Sequence, residues 1–270
     1  VICDKPMTTS LDDAKALEKL VEETGLVFVL THNYSGHPMV RQARQMVADG
    51  MIGTVRVVNV EYVQDWLSTA LEDTGQKQAS WRTDPQQAGN GGSIGDIGTH
   101  AYQLACFVTG LPFEVASADL HSFVPGRTLD DNAFVLLRSG EARAMLWCSQ
   151  VAPGNENALT LRVYGDKGGL EWAQESPNAL WYTPIGEPKR LLTRGGSGAD
   201  EAAAKVTRIP AGHPEGYLEA FATIYGAAAD AITAHKTGTP GPEGTLYPTV
   251  ADGVAGVAFI EAAVAASRQG

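Results

Sequence analysis

Two short apolar runs, Val1-Ile2-Cys3 and Leu26-Val27-Phe28-Val29-Leu30, bracket a segment whose apolar positions Leu11, Ala14, Leu17, Leu20 and Val21 recur at helical spacing. Thr8-Thr9-Ser10 supply candidate caps in front of that segment, and Gly25 supplies a stop behind it. The pattern predicts strand, helix and parallel strand, a βαβ unit. Leu26–Leu30 shows no alternation, as a strand covered on both faces requires. In open sheets of parallel strands, ligands bind beyond the carboxyl ends of the strands. Asp4-Lys5-Pro6 falls at that position, so the opening of the chain already nominates a lysine for a ligand crevice.

A second helix reads from Pro38 to Asp49, and after Gly53 the texture changes. Strand-like segments follow at Thr54–Trp66, Glu114–Val124, Asn132–Arg138, Ala142–Val151, Leu159–Tyr164, Gly169–Ala173 and Leu180–Thr183. Leu159, Leu161 and Val163 alternate with Thr160, Arg162 and Tyr164, which suits a sheet with one wet face. Short turns between consecutive strands, such as Gly165-Asp166-Lys167-Gly168, call for antiparallel or mixed pairing. Helices from Glu215 to His235 and from Thr249 to Arg268 close the chain. The fold class expected is α+β: a large, mostly antiparallel open sheet flanked by helices, preceded by a βαβ piece. Arg194–Ala204, rich in Gly and Ala, reads as mobile, and Lys236–Pro248 as a linker.

Charge and cysteine content remove several function classes. Lys plus Arg number 20 against 31 Asp plus Glu, a formal net charge of −11. That balance opposes a sequence-independent grip on nucleic acid or on an anionic membrane surface. The cysteines Cys3, Cys106 and Cys148 are odd in number and widely spaced, which gives no disulfide framework and no metal-binding pair. A reducing, cytoplasmic compartment is the expectation. Val250–Ala266 is apolar but carries Asp252 and Glu261, and reads as a packed helix.

Three features carry chemistry: Lys5 after the first strand, Trp81-Arg82, and the run Gly91-Gly92-Ser93-Ile94-Gly95-Asp96-Ile97-Gly98-Thr99-His100. In that run the glycines lead into a helix, and Asp96 and His100, spaced i, i+4, share one face. A lysine, a carboxylate and an imidazole on neighbouring elements can remove a proton from an alcohol. The imidazole accepts it, the carboxylate orients hydroxyls, and the ammonium favours the alkoxide-like oxygen. Departure of a hydride would then require a nicotinamide cofactor, since no side chain accepts one. Each feature also has a plainer reading: Lys5 as a solvated loop lysine, Asp96 and His100 as an exposed pair or a cap, Trp81 as core, Arg82 in a surface ion pair. Asp96 and His100 could also present two ligands to a divalent metal, but the sequence places no third, so no metal site is assigned. His32, His37, His121, His213 and His235 are scattered, the last read as a helix C-terminal cap; Cys106 and Cys148 read as small buried residues.

The order of motifs narrows these choices. Asp4-Lys5-Pro6, Thr31-His32-Asn33-Tyr34, Gly50-Met51-Ile52-Gly53, Trp81-Arg82, Asp96-Ile97-Gly98-Thr99-His100, Tyr164-Gly165-Asp166-Lys167-Gly168-Gly169-Leu170-Glu171, Tyr247-Pro248-Thr249 and Asp252-Gly253 follow one another in a pattern that resembles the glucose–fructose oxidoreductase / inositol dehydrogenase (Gfo/Idh/MocA) family. The resemblance spans nearly the whole chain. It implies a dehydrogenase using NAD or NADP on a small-molecule sugar or polyol, with a Rossmann domain and a second domain built on a large open sheet. It also implies a homo-oligomer formed through the exposed sheet face. By the same resemblance Lys5 matches the lysine of the family's Glu-Lys-Pro motif, near both nicotinamide and reacting hydroxyl. Asp96 and His100 match the substrate-binding and proton-accepting pair, so Lys5, Asp96 and His100 are the implied catalytic residues. Lys5, Pro6, Asn33, Trp81 and Arg82 are the implied cofactor contacts. The chain departs from the pattern at Asp4, where Glu is usual, and at Ser35-Gly36-His37-Pro38, where an arginine is common.

One expected motif is missing. A Rossmann domain carries Gly-x-Gly-x-x-Gly after its first strand. Gly89-Asn90-Gly91-Gly92-Ser93-Ile94 fails at its last position, and Gly195-Gly196-Ser197-Gly198 follows no predicted strand. Residues 1–35 are therefore expected to be the C-terminal remnant of a dinucleotide-binding domain, and 36–270 a substrate and oligomerisation domain. Such a fragment would hold the cofactor weakly, and the choice between NAD and NADP is not encoded in it. The rival from another class is a non-catalytic dimerisation or sugar-binding module.

Overall fold

A computed structural model describes residues 1–242 and 246–269. The chain runs β1 (Ile2–Cys3), α1 (Leu11–Thr24), β2 (Val29–Leu30), α2 (Pro38–Ala48), β3 (Val55–Val63), α3 (Lys77–Arg82), α4 (Pro85–Ala88), α5 (Thr99–Thr109), β4 (Glu114–His121), β5 (Asn132–Ser139), β6 (Ala142–Ser149), β7 (Ala158–Gly165), β8 (Gly168–Ala173), β9 (Ala179–Pro184), β10 (Arg190–Thr193), α6 (Glu201–Ala204), α7 (Tyr217–Thr237) and α8 (Val250–Arg268). The α+β reading holds. β1 and β2 pair in parallel, Ile2 opposite Val29 and Cys3 opposite Leu30. The other strands form an eight-stranded sheet in the order β10-β9-β8-β7-β3-β6-β5-β4. Within it β3 runs parallel to β6, and every other neighbouring pair is antiparallel.

Local chemistry explains the opening unit. Ser10 caps α1 by accepting the Asp13 amide at 3.2 Å, and Gly25 ends the helix with a left-handed φ of 63°. This unit is fastened to the last helix. Met7 fills the space beside Gly253, Glu261 accepts the Leu11 amide at 2.8 Å, and the Leu30 amide donates to Pro248 at 2.8 Å. By length and composition α8 could cross a membrane; here it packs on α1, α5 and β4.

Helices cover one face of the sheet. Leu137, Leu146, Val60, Leu161 and Leu170 point into the core there with Leu104 of α5. The opposite face is open, with Val57, Phe134, Leu136, Met145 and Trp181 exposed, and Phe134 stacked on Trp147.

The stretch expected to be mobile is anchored at its ends, while residues 195–202 stay at least partly exposed. The Arg194 side chain is buried, donating to Asn178 Oδ1 at 2.8 Å and paired with Glu215 at 3.1 Å. Asp200 then caps α6. Of the expected linker Lys236–Pro248, residues 243–245 lie outside the described residues. The strand β10 and the helices α3 and α4 were not anticipated from the sequence, and β3 ends at Val63, earlier than the expected Trp66.

Candidate active site

The C-terminal ends of β1 and β2 open onto a cavity of about 880 Å³. Asp4, Lys5, Thr31 and Asn33 reach it from those strand ends, and Tyr62, Gln64 and Trp66 from the end of β3. Trp81 and Arg82 close it from α3, Asp96 and His100 from the glycine-rich turn, and Tyr217 and Phe221 from α7. Five sequence candidates besides Lys5 therefore meet it in one place: Asn33, Trp81, Arg82, Asp96 and His100. Pro6 is the exception. It follows Lys5 through a cis peptide bond and does not line the cavity.

The glycine-rich turn is built for close packing. A Cβ on Gly92 would lie 2.1 Å from the Asp130 carbonyl oxygen. The partly buried Asp130 carboxylate accepts the amides of Gly92 at 2.7 Å and Ile94 at 2.8 Å and the Ser93 hydroxyl at 2.7 Å. These donors are thus taken inside the fold, and the turn is not a phosphate cradle. Residues Ile94–Gly98 form a π-helical turn leading straight into α5, a feature frequent at functional sites. Asp96 lies inside the turn and His100 just beyond it.

Asp96 is held between cations. Its Oδ1 is 2.9 Å from Lys5 Nζ and its Oδ2 2.9 Å from Arg82 Nε, while Gln150 donates to Oδ2 at 2.8 Å. Lys5 also donates to the Asp96 main-chain carbonyl. Burial pushes the Asp96 carboxyl upward, but the Lys5 and Arg82 charges outweigh it and hold the group below the usual carboxylate range. With both oxygens engaged by cations and an amide, Asp96 is a poor ligand for a further cation. The guanidinium of Arg82 lies 4.1 Å over the Trp81 ring, so the pair acts as a unit.

Elsewhere the cavity is walled by the neutral side chains of His100, Tyr34, Tyr62 and Asn157, and Glu156 also lines it. His100 is 8% exposed and packs edge-on to Tyr34 at 4.9 Å between ring centroids. Desolvation, helped by the nearby Lys5 charge, drives its pKa well below the ordinary histidine value. The Tyr34 and Tyr62 hydroxyls lie 2.5 Å apart, and Tyr62 donates to Asn157 at 2.8 Å. Behind His100 stands His32, Nδ1 to Nδ1 at 3.3 Å, with a pKa lowered to about 3 by burial and then by Lys5.

Sequence reading missed His32, Tyr34, Tyr62, Gln150 and Asn157. The departure at Ser35-Gly36-His37-Pro38 has a structural account. A Cβ on Gly36 would lie 2.2 Å from the Ala220 carbonyl oxygen, so this turn seats α7 and Tyr217 and Phe221 come to the cavity from there.

Comparison with known proteins agrees with this architecture. Residues 40–171 match the GFO/IDH/MocA C-terminal domain. An uncharacterized oxidoreductase of Bacillus subtilis, YfiI, is 33% identical, the match covering 100% of this chain and 70% of the relative. The crystal structure of an oxidoreductase from Sinorhizobium meliloti superposes with a TM-score of 0.88 at 56% identity, covering 100% of this chain and 70% of that one. An inositol dehydrogenase homolog from Azotobacter vinelandii complexed with NAD+ gives 0.94 at 34% identity with the same coverage. A structure of that homolog with NADH and myo-inositol gives 0.90 at 32%. The chain belongs to the Gfo/Idh/MocA family of oxidoreductases.

Proposed function

We propose that the chain carries the substrate-facing part of an NAD(P)-dependent dehydrogenase acting on a hydroxyl of a sugar or polyol. The observation that carries this is one cavity holding an uncharged histidine beside an ammonium whose carboxylate partner is fixed. The Azotobacter homolog, with NADH and myo-inositol bound, supports the choice of ligands.

The residues present fit the nicotinamide end of such a cofactor. Asn33 is 2% exposed and lines the cavity, and its Nδ2 has no hydrogen-bond partner among the described residues. A buried amide donor of this kind costs stability unless something accepts from it. Asn33, Lys5, Trp81 and Arg82 would hold that end. The Gly-x-Gly-x-x-Gly turn for the pyrophosphate is not in the sequence, so the reading concerns the protein in which that turn is present. A bound nicotinamide would supply the acceptor for the hydride of the substrate carbon.

His100, uncharged at neutral pH, accepts the hydroxyl proton. Lys5 stabilises the oxygen that loses it, as a fixed positive charge in a site screened from bulk water does effectively. Asp96 acts through Lys5 and Arg82, because its own oxygens are already engaged. That alters the role the family resemblance implies: Asp96 places the cations and leaves the hydroxyls to Lys5 and His100. Trp66, Trp81, Tyr217 and Phe221 supply aromatic walls of the kind that stack on sugar rings.

The test is turnover of the full-length protein with NAD+ or NADP+ on a panel of hexoses, anhydrosugars and inositols. His100→Ala is expected to lower kcat by at least ~10²-fold on the best substrate. Near-normal turnover in that variant at every pH would refute the base assignment.

A further inference from the structure

His32 does no chemistry in the scheme above, yet it is 1% exposed and sits against the proposed base. The two rings stand at 83° to each other, their centroids 5.2 Å apart, with Nδ1 facing Nδ1 at 3.3 Å. Such a contact needs one hydrogen, donated by one ring and accepted by the other. If His32 donates, His100 carries its own proton on Nε2 and cannot accept another there. If His100 donates, its Nε2 presents a lone pair.

Position decides between these. His100 lines the cavity together with Lys5, whereas His32 lies behind it and does not reach the cavity wall. An N–H dipole aimed toward the space shared with the Lys5 ammonium is repelled, and a lone pair there is favoured. The backbone of His32 is fixed as well, its amide donating to Leu30 at 3.0 Å and its carbonyl accepting the Ser35 hydroxyl at 2.8 Å.

We propose that His32 is a positioning residue that accepts the Nδ1 proton of His100 and so keeps Nε2 of His100 as the basic nitrogen. This rests on the dehydrogenase reading above. As the substrate O–H bond breaks, its electron pair stays on oxygen and an N–H bond forms at Nε2. The resulting imidazolium still donates from Nδ1 to the neutral His32. A carboxylate in that place would raise the proton affinity of His100 strongly, and a neutral acceptor sets the tautomer while raising it far less.

Histidine-labelled protein examined by long-range ¹H–¹⁵N correlation reports the tautomer directly, without cofactor or turnover. The wild type is expected to show His100 protonated on Nδ1. His32→Phe is expected to move that proton to Nε2, and His32→Gln, whose carbonyl can accept, to return it. Turnover of the full-length protein should fall by ~10³-fold in His32→Phe and recover in part in His32→Gln, the scale of a misplaced tautomer. A wild-type His100 protonated on Nε2, or a folded His32→Phe with the tautomer unmoved, overturns the proposal. Should His32→Phe fail to fold, the wild-type spectrum alone decides. Retained turnover in His100→Ala would instead refute the base assignment, and a wild type that turns over none of the sugars or polyols with either cofactor would overturn the dehydrogenase reading; both leave the spectroscopic result standing.

Discussion

The two ends of the cavity solve the problem of buried ionisable groups in opposite ways. At the Lys5–Asp96–Arg82 end the charges are kept, because each lies 2.9 Å from an opposite one. At the His32–His100–Tyr34–Tyr62 end no carboxylate pairs with the rings among the described residues, and burial is the largest influence keeping them neutral. Proton abstraction needs both: an acceptor that is empty at neutral pH, and a fixed charge that favours the oxygen left behind. Placing Asp96 beside His100 would have raised the base and cost the difference. Asp96 instead turns its oxygens to Lys5, Arg82 and Gln150.

The charged end should break hardest. Asp96→Asn leaves Lys5 and Arg82 partly buried without their shared counter-charge, and removing one partner of such a pair costs ~3 kcal/mol or more. Urea unfolding checks that figure. Turnover should fall with it, since Lys5 loses the contact that fixes its ammonium. A variant that unfolds at the wild-type midpoint would show that the cations re-pair elsewhere and that Asp96 is not their anchor.

The ends also separate along the pH axis. His32 and His100 have folded pKa values below the unfolded value of about 6.5, so the unfolded chain binds more protons below that pH, and stability falls as pH falls. For His32 this loss continues down to about 3, approaching ~1.4 kcal/mol per pH unit. Asp96 is also depressed, and its contribution, complete above about pH 4, is lost only as pH falls through its lower folded value. Unfolding free energies between about pH 6.5 and 4 therefore report the buried histidines: His32 and His100 of the cavity and also His37, whose pKa burial lowers to about 4. His32→Phe should flatten the slope there, and Asp96→Asn should leave it unchanged and act only below. An equal slope in wild type and His32→Phe would mean that His32 is not held neutral by burial.

The same contrast marks what was legible in the sequence. Lys5, Asp96, His100 and Arg82 stand out in one dimension because a charge at a strand end or in a glycine-rich turn is conspicuous. Tyr34, Tyr62, Gln150 and Asn157 do not, since polar side chains are brought together by sheet register. Tyr62 is an ordinary inward residue of an alternating strand until the pairing of β3 with β6 and β7 sets it opposite Cys148 and Leu159. The π turn at Ile94–Gly98 follows from Asp130, a residue distant in sequence, gathering the Gly92 and Ile94 amides. Arg194 was misread for the same reason, because its partners Asn178 and Glu215 arrive from either side in the chain. The alternating strands and capped helices were readable because their signals are local.

The smallest effect expected is at the hydroxyl pair. Tyr34→Phe removes one member of the 2.5 Å contact with Tyr62, but Tyr62 keeps its hydrogen bond to Asn157. Asn157 Nδ2 loses its acceptor in the Tyr34 hydroxyl as well, but that contact is long at 3.5 Å and only partly buried, so the cost should stay near ~1 kcal/mol, the usual net worth of a single hydrogen bond. The Phe ring preserves the edge-on packing against His100, and the tautomer and pH slope of the histidine end should be unchanged. If Tyr34→Phe instead shifts the pH dependence of turnover as strongly as His32→Phe, the hydroxyl pair takes part in proton transfer. The neutral end would then be a relay running from His100 toward Asn157.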